Sequence, residues 1–416
     1  ANSALGVALT LTDTDPADNT AEVTYTATGG AGDDTFDFTV SDGFATSAAE
    51  TVTVTVTAVG NQTATFDGSG DYVNVGADPS LEVAGEFTVE AWIYPRGAGA
   101  GGTQGGMILN KEGEYEIARF ADGTIWYSVG NVTPGWGWQN TAFVAPQDAW
   151  THLAWSYSAA AGMTYVYADG VQVHAAAVAG VVTDPDAFDQ VFIGDRETIA
   201  HSFDGDIDEV RIWDVSRTAE EIANAHGKTL TSAQAATVPG LIGYWTFDDA
   251  ATVTTADLSV NGNDGVLSGD ASILPSPQVF VENTPPVATA GIVGEILDGG
   301  TGQIELTGSD PVDGDLLSFQ LVAALSDVLA AGLSLGDEFA TDNLATAGYA
   351  SLGTGAATDT FSFTVSDGIS TSTAQLVTVN VTEPVALTGV DLLVNGSGED
   401  LSLAGWDIVS GTWPME

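Results

Sequence analysis

Two acidic turns and one tryptophan-bearing loop concentrate the residue types that could do chemistry. The turns are Asp13-Thr14-Asp15-Pro16-Ala17-Asp18 and Asp310-Pro311-Val312-Asp313-Gly314-Asp315. Clustered carboxylates at sharp bends are hard oxygen donors, the ligand type that calcium (Ca2+) prefers. Asp13, Asp15 and Asp18, and Asp310, Asp313 and Asp315, are therefore calcium candidates, with Asp42 and Asp367 as neighbours across a domain junction. The plainer reading is a solvated acidic turn. The spacing is not that of an EF-hand, because no Glu follows at the twelfth position.

Sugar recognition asks for an aromatic face against the C–H surface of a pyranose and planar polar groups for its hydroxyls. The loop Asn131-Val132-Thr133-Pro134-Gly135-Trp136-Gly137-Trp138-Gln139-Asn140 supplies both. Trp136 and Trp138 lack the alternation of a buried strand and are the candidate platforms, with Gln139, Asn140 and Asn131 as polar partners. The competing reading has one tryptophan plugging a sandwich end and only the other exposed. Arg196 either reaches the same rim or pairs with Asp195 or Glu197.

Catalysis is not expected. A carboxylate pair is the minimum for glycoside hydrolysis, yet acidic pairs arise by chance in so acidic a chain. No Ser-His-Asp set stands out: His152 sits in an apolar strand and His174 at a hairpin end.

Charge narrows the partners. The 416 residues include 57 Asp or Glu against seven Lys or Arg. Such a surface repels DNA, RNA and anionic lipid, so neither a nucleic acid nor membrane insertion is expected. No apolar run approaches the ~18 residues of a membrane span. With 44% hydrophobic residues in regular alternation, the chain reads as folded rather than disordered. All seven cations (Arg96, Lys111, Arg119, Arg196, Arg211, Arg217 and Lys228) lie in the middle of the chain. The purely acidic flanks must draw cations from solution, and calcium or high salt is the natural supply. Without cysteine there is neither a disulfide nor a thiolate metal site. No signal-peptide pattern is visible, so Ala1 reads as a mature terminus or a cut inside a longer protein.

The scaffold for these residues reads as strands. Between Thr65 and about Leu274, blocks such as Phe87-Thr88-Val89-Glu90-Ala91-Trp92-Ile93 alternate apolar and polar residues at a period of two. Asp169-Gly170 between two such runs predicts a hairpin. Trp92, Trp155, Trp213 and Trp245 fall on these strands as core or near-core residues. One helix is expected, opened by the capping box Thr218-Ala219-Glu220-Glu221 and closed at Gly227.

Five blocks in order, FDGSGDYVNV from Phe66, FTVEAWIYP from Phe87, WTHLAWSY from Trp150, YVYADGVQV from Tyr165 and FDGDIDEVRIW from Phe203, resemble the laminin-G/pentraxin-like branch of the concanavalin A-like lectin fold. The resemblance covers about half of the chain and implies an all-β jelly-roll sandwich over 61–276. It brings the two FDG blocks together as neighbouring strands, making Asp67 and Asp206 candidates for a structural calcium. It places Asp184 and Asp186 on a rim loop where related domains hold a ligand-linked calcium. Glucanases on the related fold carry two glutamates and an aspartate along one strand; Glu112-Gly113-Glu114-Tyr115-Glu116 lacks the aspartate.

Residues 1–60 and 283–384 are two copies of one unit. Asp34-Thr35-Phe36-Asp37-Phe38-Thr39-Val40-Ser41-Asp42-Gly43 recurs as Asp359-Thr360-Phe361-Ser362-Phe363-Thr364-Val365-Ser366-Asp367-Gly368. A strand-rich internal repeat implies beads on a string, and the unit resembles the cadherin-like, Ig-like repeats of large bacterial RTX-type surface adhesins. The first copy is shorter by roughly a strand pair, which leaves an open sheet edge. It is either cut from a longer chain or completed by another segment. Pro275, Pro277, Pro285 and Pro286 predict a stiff linker. Residues 385–416 resemble the start of a truncated carbohydrate-binding jelly roll, or else serve as a strand-donor tail.

The expected function is a segment of an extracellular, cell-surface adhesin. In it, calcium-stiffened repeats present a domain that binds a glycan or a cell-surface protein. The alternative is a structural fibre subunit assembled by strand exchange between neighbouring copies.

Overall fold

The computed structural model describes residues 8–12, 20–26, 32–56, 60–130, 132–182, 190–196, 200–248, 253–322, 330–336 and 343–384. The chain is all-β, and its alternating blocks become two packed antiparallel sheets in the centre. One runs Val171–Ala177, Met163–Ala168, Thr151–Ser158, Glu86–Pro95, Asp204–Trp213, Gln62–Asp67 and Ser272–Pro275, with Leu241–Trp245 also paired to Asp204–Trp213. The other runs Gln139–Val144, Thr124–Val129, Tyr115–Arg119, Gly106–Lys111, Val191–Ile193, Tyr72–Gly76, Gly265–Ser268 and Thr254–Thr255. Asp169 and Gly170, at φ 48° and 75°, make the hairpin between Met163–Ala168 and Val171–Ala177. Both take the left-handed backbone that a two-residue turn requires.

Phe87, Val89, Ala91 and Ile93 join Leu153, Trp155 and Tyr157 in a core against Ile117, Ile125, Tyr127 and Val129 of the facing sheet. Phe87 meets Trp155 edge-on at 4.9 Å and stacks on Tyr157 at 5.2 Å. Each large apolar side chain so buried contributes about 1.5–3 kcal/mol. Trp245 belongs to this core and Trp213 to a second cluster, while Trp92 is half-buried on the outer face against His152 and Phe280.

The outer face of the first sheet is not wet. Helix Ala219–Ala225, opened by the expected Thr218/Glu221 capping box, lays Ile222 on Ala154 and Tyr167. Charged groups caught beneath it are paired, as buried charges must be. Arg217 Nη1 donates to Glu90 Oε1 at 2.8 Å, and its guanidinium lies 4.3 Å from the Trp213 ring.

The proline-bracketed exit is not a free spacer. Val281–Glu282 pairs in parallel with Lys228–Thr229, and Phe280 packs on Trp92. Backbone hydrogen bonding thus ties this stretch into the central domain, where composition alone suggested a linker.

The second repeat is a sandwich of two four-stranded sheets. One holds Val287–Ala288, Thr301–Ser309, Leu344–Ser351 and Ala330–Gly336; the other holds Val293–Leu297, Gln375–Thr382, Ala357–Ser366 and Ser318–Val322. Its core includes Phe361, Phe363, Val365, Val377 and Val379. In the first repeat the described residues form two separate hairpins, Ala8–Thr12 with Glu22–Thr26 and Gly32–Phe38 with Glu50–Val56. Where their burial is described, these strand residues are exposed or, at Phe36, Val52 and Val54, half-buried.

Candidate functional site

The outer face of the second sheet carries an aromatic ladder. Along Thr124–Val129, Ile125 and Tyr127 turn to the core, so Trp126 turns outward, directly opposite Asn140 on the next strand. The Phe120 ring stacks on Trp126 at 4.5 Å and meets Trp138 edge-on at 5.3 Å. Two residues before Trp138 in the chain, Trp136 is 41% exposed, an unusual state for so large a ring. The loop is held in shape by the Gly137 amide, which donates to Ser128 Oγ at 3.1 Å. Gln139 Nε2 donates to the Gly137 carbonyl, and Asn140 Oδ1 accepts from the Ala142 amide. Trp138 is therefore half-buried against Phe120 while Trp136 is the more exposed, so the two tryptophans differ. Asn131 lies outside the described residues.

Phe120 and Trp126 extend the platform and were not singled out in the sequence. The signal for Trp126 was present: it is out of phase with Ile125 and Tyr127 on an otherwise regular strand.

On the same face a polar cluster lies deeper. Asn110 Nδ2 donates to Glu116 Oε2 at 2.9 Å, and Arg196 clamps Glu112 through Nε and Nη2 at 2.7 and 2.6 Å. Arg196 thus pairs with Glu112, neither with Asp195 nor as a free rim group. Burial is the main force on Glu116 and pushes its carboxyl up to about 7, against the pull of Arg196.

The acids sort themselves differently from their expected pairing. Strands Gln62–Asp67 and Asp204–Trp213 do pair, but Asp67 stands opposite Asp204. Asp206 is bound to Arg96 and accepts from Thr65 Oγ1 at 2.7 Å. The carboxylates gathered around Asp67 are those of Asp71 and Asp270, with ligand atoms within 4.8 Å of one another. Both Asp71 oxygens already accept backbone amides, from Asp67 and Asp270. That is the chemistry of a turn clamp.

Asp310, Asp313 and Asp315 do converge, also within 4.8 Å. Asp313 accepts from the amide and hydroxyl of Thr284, each at 2.8 Å. Two buried oxygens here, Asp310 Oδ2 and Asn283 Oδ1, have no hydrogen-bond partner. An all-oxygen set with two orphaned acceptors fits a hard cation. Lys228 of the central domain also reaches in, contacting Asp315 and lying 3.3 Å from Asp313. Asp13, Asp15, Asp18, Asp184 and Asp186 lie outside the described residues.

The central unit is an all-β sandwich of the concanavalin A-like jelly-roll type with an aromatic outer face. Residues 67–223 match the family model of the concanavalin A-like lectin/glucanases superfamily. Among solved structures, the chain is similar to a Bacteroides ovatus protein provisionally described as carbohydrate-binding, at 17% identity over 63% of this chain and 70% of that one, TM-score 0.43. It is also similar to a SAP-like pentraxin of Limulus polyphemus, at 15% identity over 41% and 84%, TM-score 0.29. Domains LG4-5 of mouse laminin alpha1 give 16% identity over 41% and 44%, TM-score 0.27. No curated protein matches the chain.

Proposed function

We propose that the chain is a segment of an extracellular bacterial adhesin whose central domain binds a glycan on its outer sheet face. The single observation behind this reading is the Phe120–Trp126–Trp138 ladder, with Asn140 opposite Trp126 and Trp136 exposed two residues before Trp138. An aromatic surface with planar amides at its edge suits the apolar face and hydroxyls of a sugar ring. The role is binding rather than catalysis: the most perturbed carboxyl on this face, Glu116, is buried with Asn110 and Arg196 rather than open to a substrate. A cell-surface protein is the other ligand class for such a face.

The repeats serve as a stalk stiffened by calcium. Asp310, Asp313, Asp315 and Asn283 would hold the ion, which neutralises the acids and cross-links the exit of the central domain to the second repeat. In support stand the orphaned oxygens of Asp310 and Asn283.

Glycan-array binding by the full chain, lost on Trp136→Ala, is the expected result. A blank array with folded protein removes the lectin role. One observation favours the second reading, a fibre built by strand exchange: in both hairpins of the first repeat the strand residues whose burial is described are exposed or half-buried. Electron microscopy separates the two, discrete particles for the adhesin and filaments for the fibre.

A further inference from the structure

The two repeats share one loop, built bond for bond alike. In the second, Ser366 and Thr371 form a bridge enclosing Asp367-Gly368-Ile369-Ser370; in the first, Ser41 and Thr46 enclose Asp42-Gly43-Phe44-Ala45. Asp367 Oδ1 accepts the amides of Ile369 and Ser370 at 2.7 and 2.6 Å; Asp42 Oδ1 accepts those of Phe44 and Ala45, both at 2.8 Å. The amide of Gly368 donates to Ser366 Oγ, and that of Gly43 to Ser41 Oγ. The glycines have φ of 89° and 86°. The loop shape is therefore set locally, before anything docks on it.

What the loops touch is opposite. Ile369 is 4% exposed and belongs to the cluster of Trp213, Leu230, Leu241 and Tyr244 in the central domain. The rim of that socket supplies donors: Arg217 Nη2 to the Gly368 carbonyl at 3.0 Å and Asn224 Nδ2 to the Asp367 carbonyl at 3.1 Å. A Cβ on Gly368 would lie 2.6 Å from Glu221 Cγ, so glycine permits the approach as well as the turn. Phe44, the counterpart of Ile369, is 99% exposed, and a Cβ on Gly43 would meet nothing within 4 Å. A rigid loop that holds a bare aromatic ring in water is shaped for an apolar receptor.

We infer that Phe44 is the plug of a docking loop whose partner is a separate lectin-type domain with a vacant socket like the one filled here by Ile369: an apolar pocket between helix and strand, rimmed by an Arg and an Asn donor. The inference is independent of the glycan-binding reading, because neither loop nor socket touches the aromatic ladder. Within one chain the single described socket is taken, so Phe44 needs another domain. The plug supplies the ring, and the carbonyls of Asp42 and Gly43 take the two rim donors.

The test uses full-length chains. A probe carrying Ile369→Asp vacates its own socket, since an ionised carboxylate is excluded from an apolar pocket; a second probe, Ile369→Gly, removes the side chain without adding charge. Each is immobilised and exposed to the wild-type chain and to two variants. Phe44→Ile restores the side chain that the socket holds here, and Phe44→Asp destroys the plug. Saturable binding of the wild-type or Phe44→Ile chain, weakened at least tenfold by Phe44→Asp and absent from an immobilised wild-type chain, is the expected result. No binding to either probe, or binding that Phe44→Asp leaves unchanged, overturns it.

Discussion

Lys228, the last basic residue of the chain, sets its ammonium 3.3 Å from an Asp313 carboxylate oxygen, across the junction between the central domain and the second repeat. It also contacts Asp315, so one protein cation partly neutralises a turn of three aspartates. Burial still pushes the Asp315 carboxyl upward, against the pull of Lys228. A single ammonium leaves the cluster under-neutralised. Calcium should therefore raise the melting temperature of the full chain and EGTA should lower it. An ion at a hundredfold excess over its dissociation constant adds ~2.7 kcal/mol, which is roughly 10–20 °C for a repeat of this size. Asp310→Asn should shrink the shift. Superimposed melts with calcium and with EGTA would end the metal argument.

Trp136 and Trp155 separate binding from folding. Trp155 is fully buried, with Nε1 donating to Thr164 Oγ1 at 2.8 Å. Trp155→Ala should cost about 3–5 kcal/mol in denaturant melts. Trp136→Ala should change stability by no more than about 0.5 kcal/mol while abolishing glycan binding. Equal losses of stability in both variants would place Trp136 in the fold rather than in the site.

Glu116 should make the central domain pH-sensitive in an unusual direction. Its folded value of about 7 lies above the 4.5 of an unperturbed glutamate. The folded state therefore holds the proton more tightly than the unfolded state, and this group's contribution falls as pH rises from about 4.5 through 7. The loss is on the order of 3 kcal/mol at most. Glu116→Gln, which still accepts from Asn110, should flatten the stability profile over that window. An unaltered profile would show that another group titrates there.

Ile369 and Phe44 invite a paired measurement within one chain. Ile369→Ala empties a buried contact and should destabilise by about 2 kcal/mol or more. Phe44→Ala, at a bare position, should stay within about 0.5 kcal/mol. The same substitution at matching loop positions would then differ because of docking alone.

Glu90 and Arg217 provide a test of the buried charges. With both groups buried and 2.8 Å apart, Glu90→Gln should cost about 3–5 kcal/mol by leaving the guanidinium uncompensated. A urea midpoint near wild type would mean that the guanidinium finds another carboxylate.

The sequence by itself determined whatever depends on neighbouring residues. Alternation at a period of two located the strands and marked Trp155 and Trp245 for the core. Asp169-Gly170 specified its hairpin, and Thr218 with Glu221 specified the helix start, because turn and cap geometry are properties of a few adjacent residues. The repeated Ser-Asp-Gly loop was equally legible, since its hydrogen bonds close within itself. Tertiary structure alone decided which distant groups meet. Asp206 went to Arg96 while Asp67 joined Asp71 and Asp270, Lys228 entered the acidic turn of the second repeat, and Phe120 came between Trp126 and Trp138. Those meetings depend on strand order, register and domain docking, which bring together residues far apart in the chain and leave no mark on the local pattern of either partner.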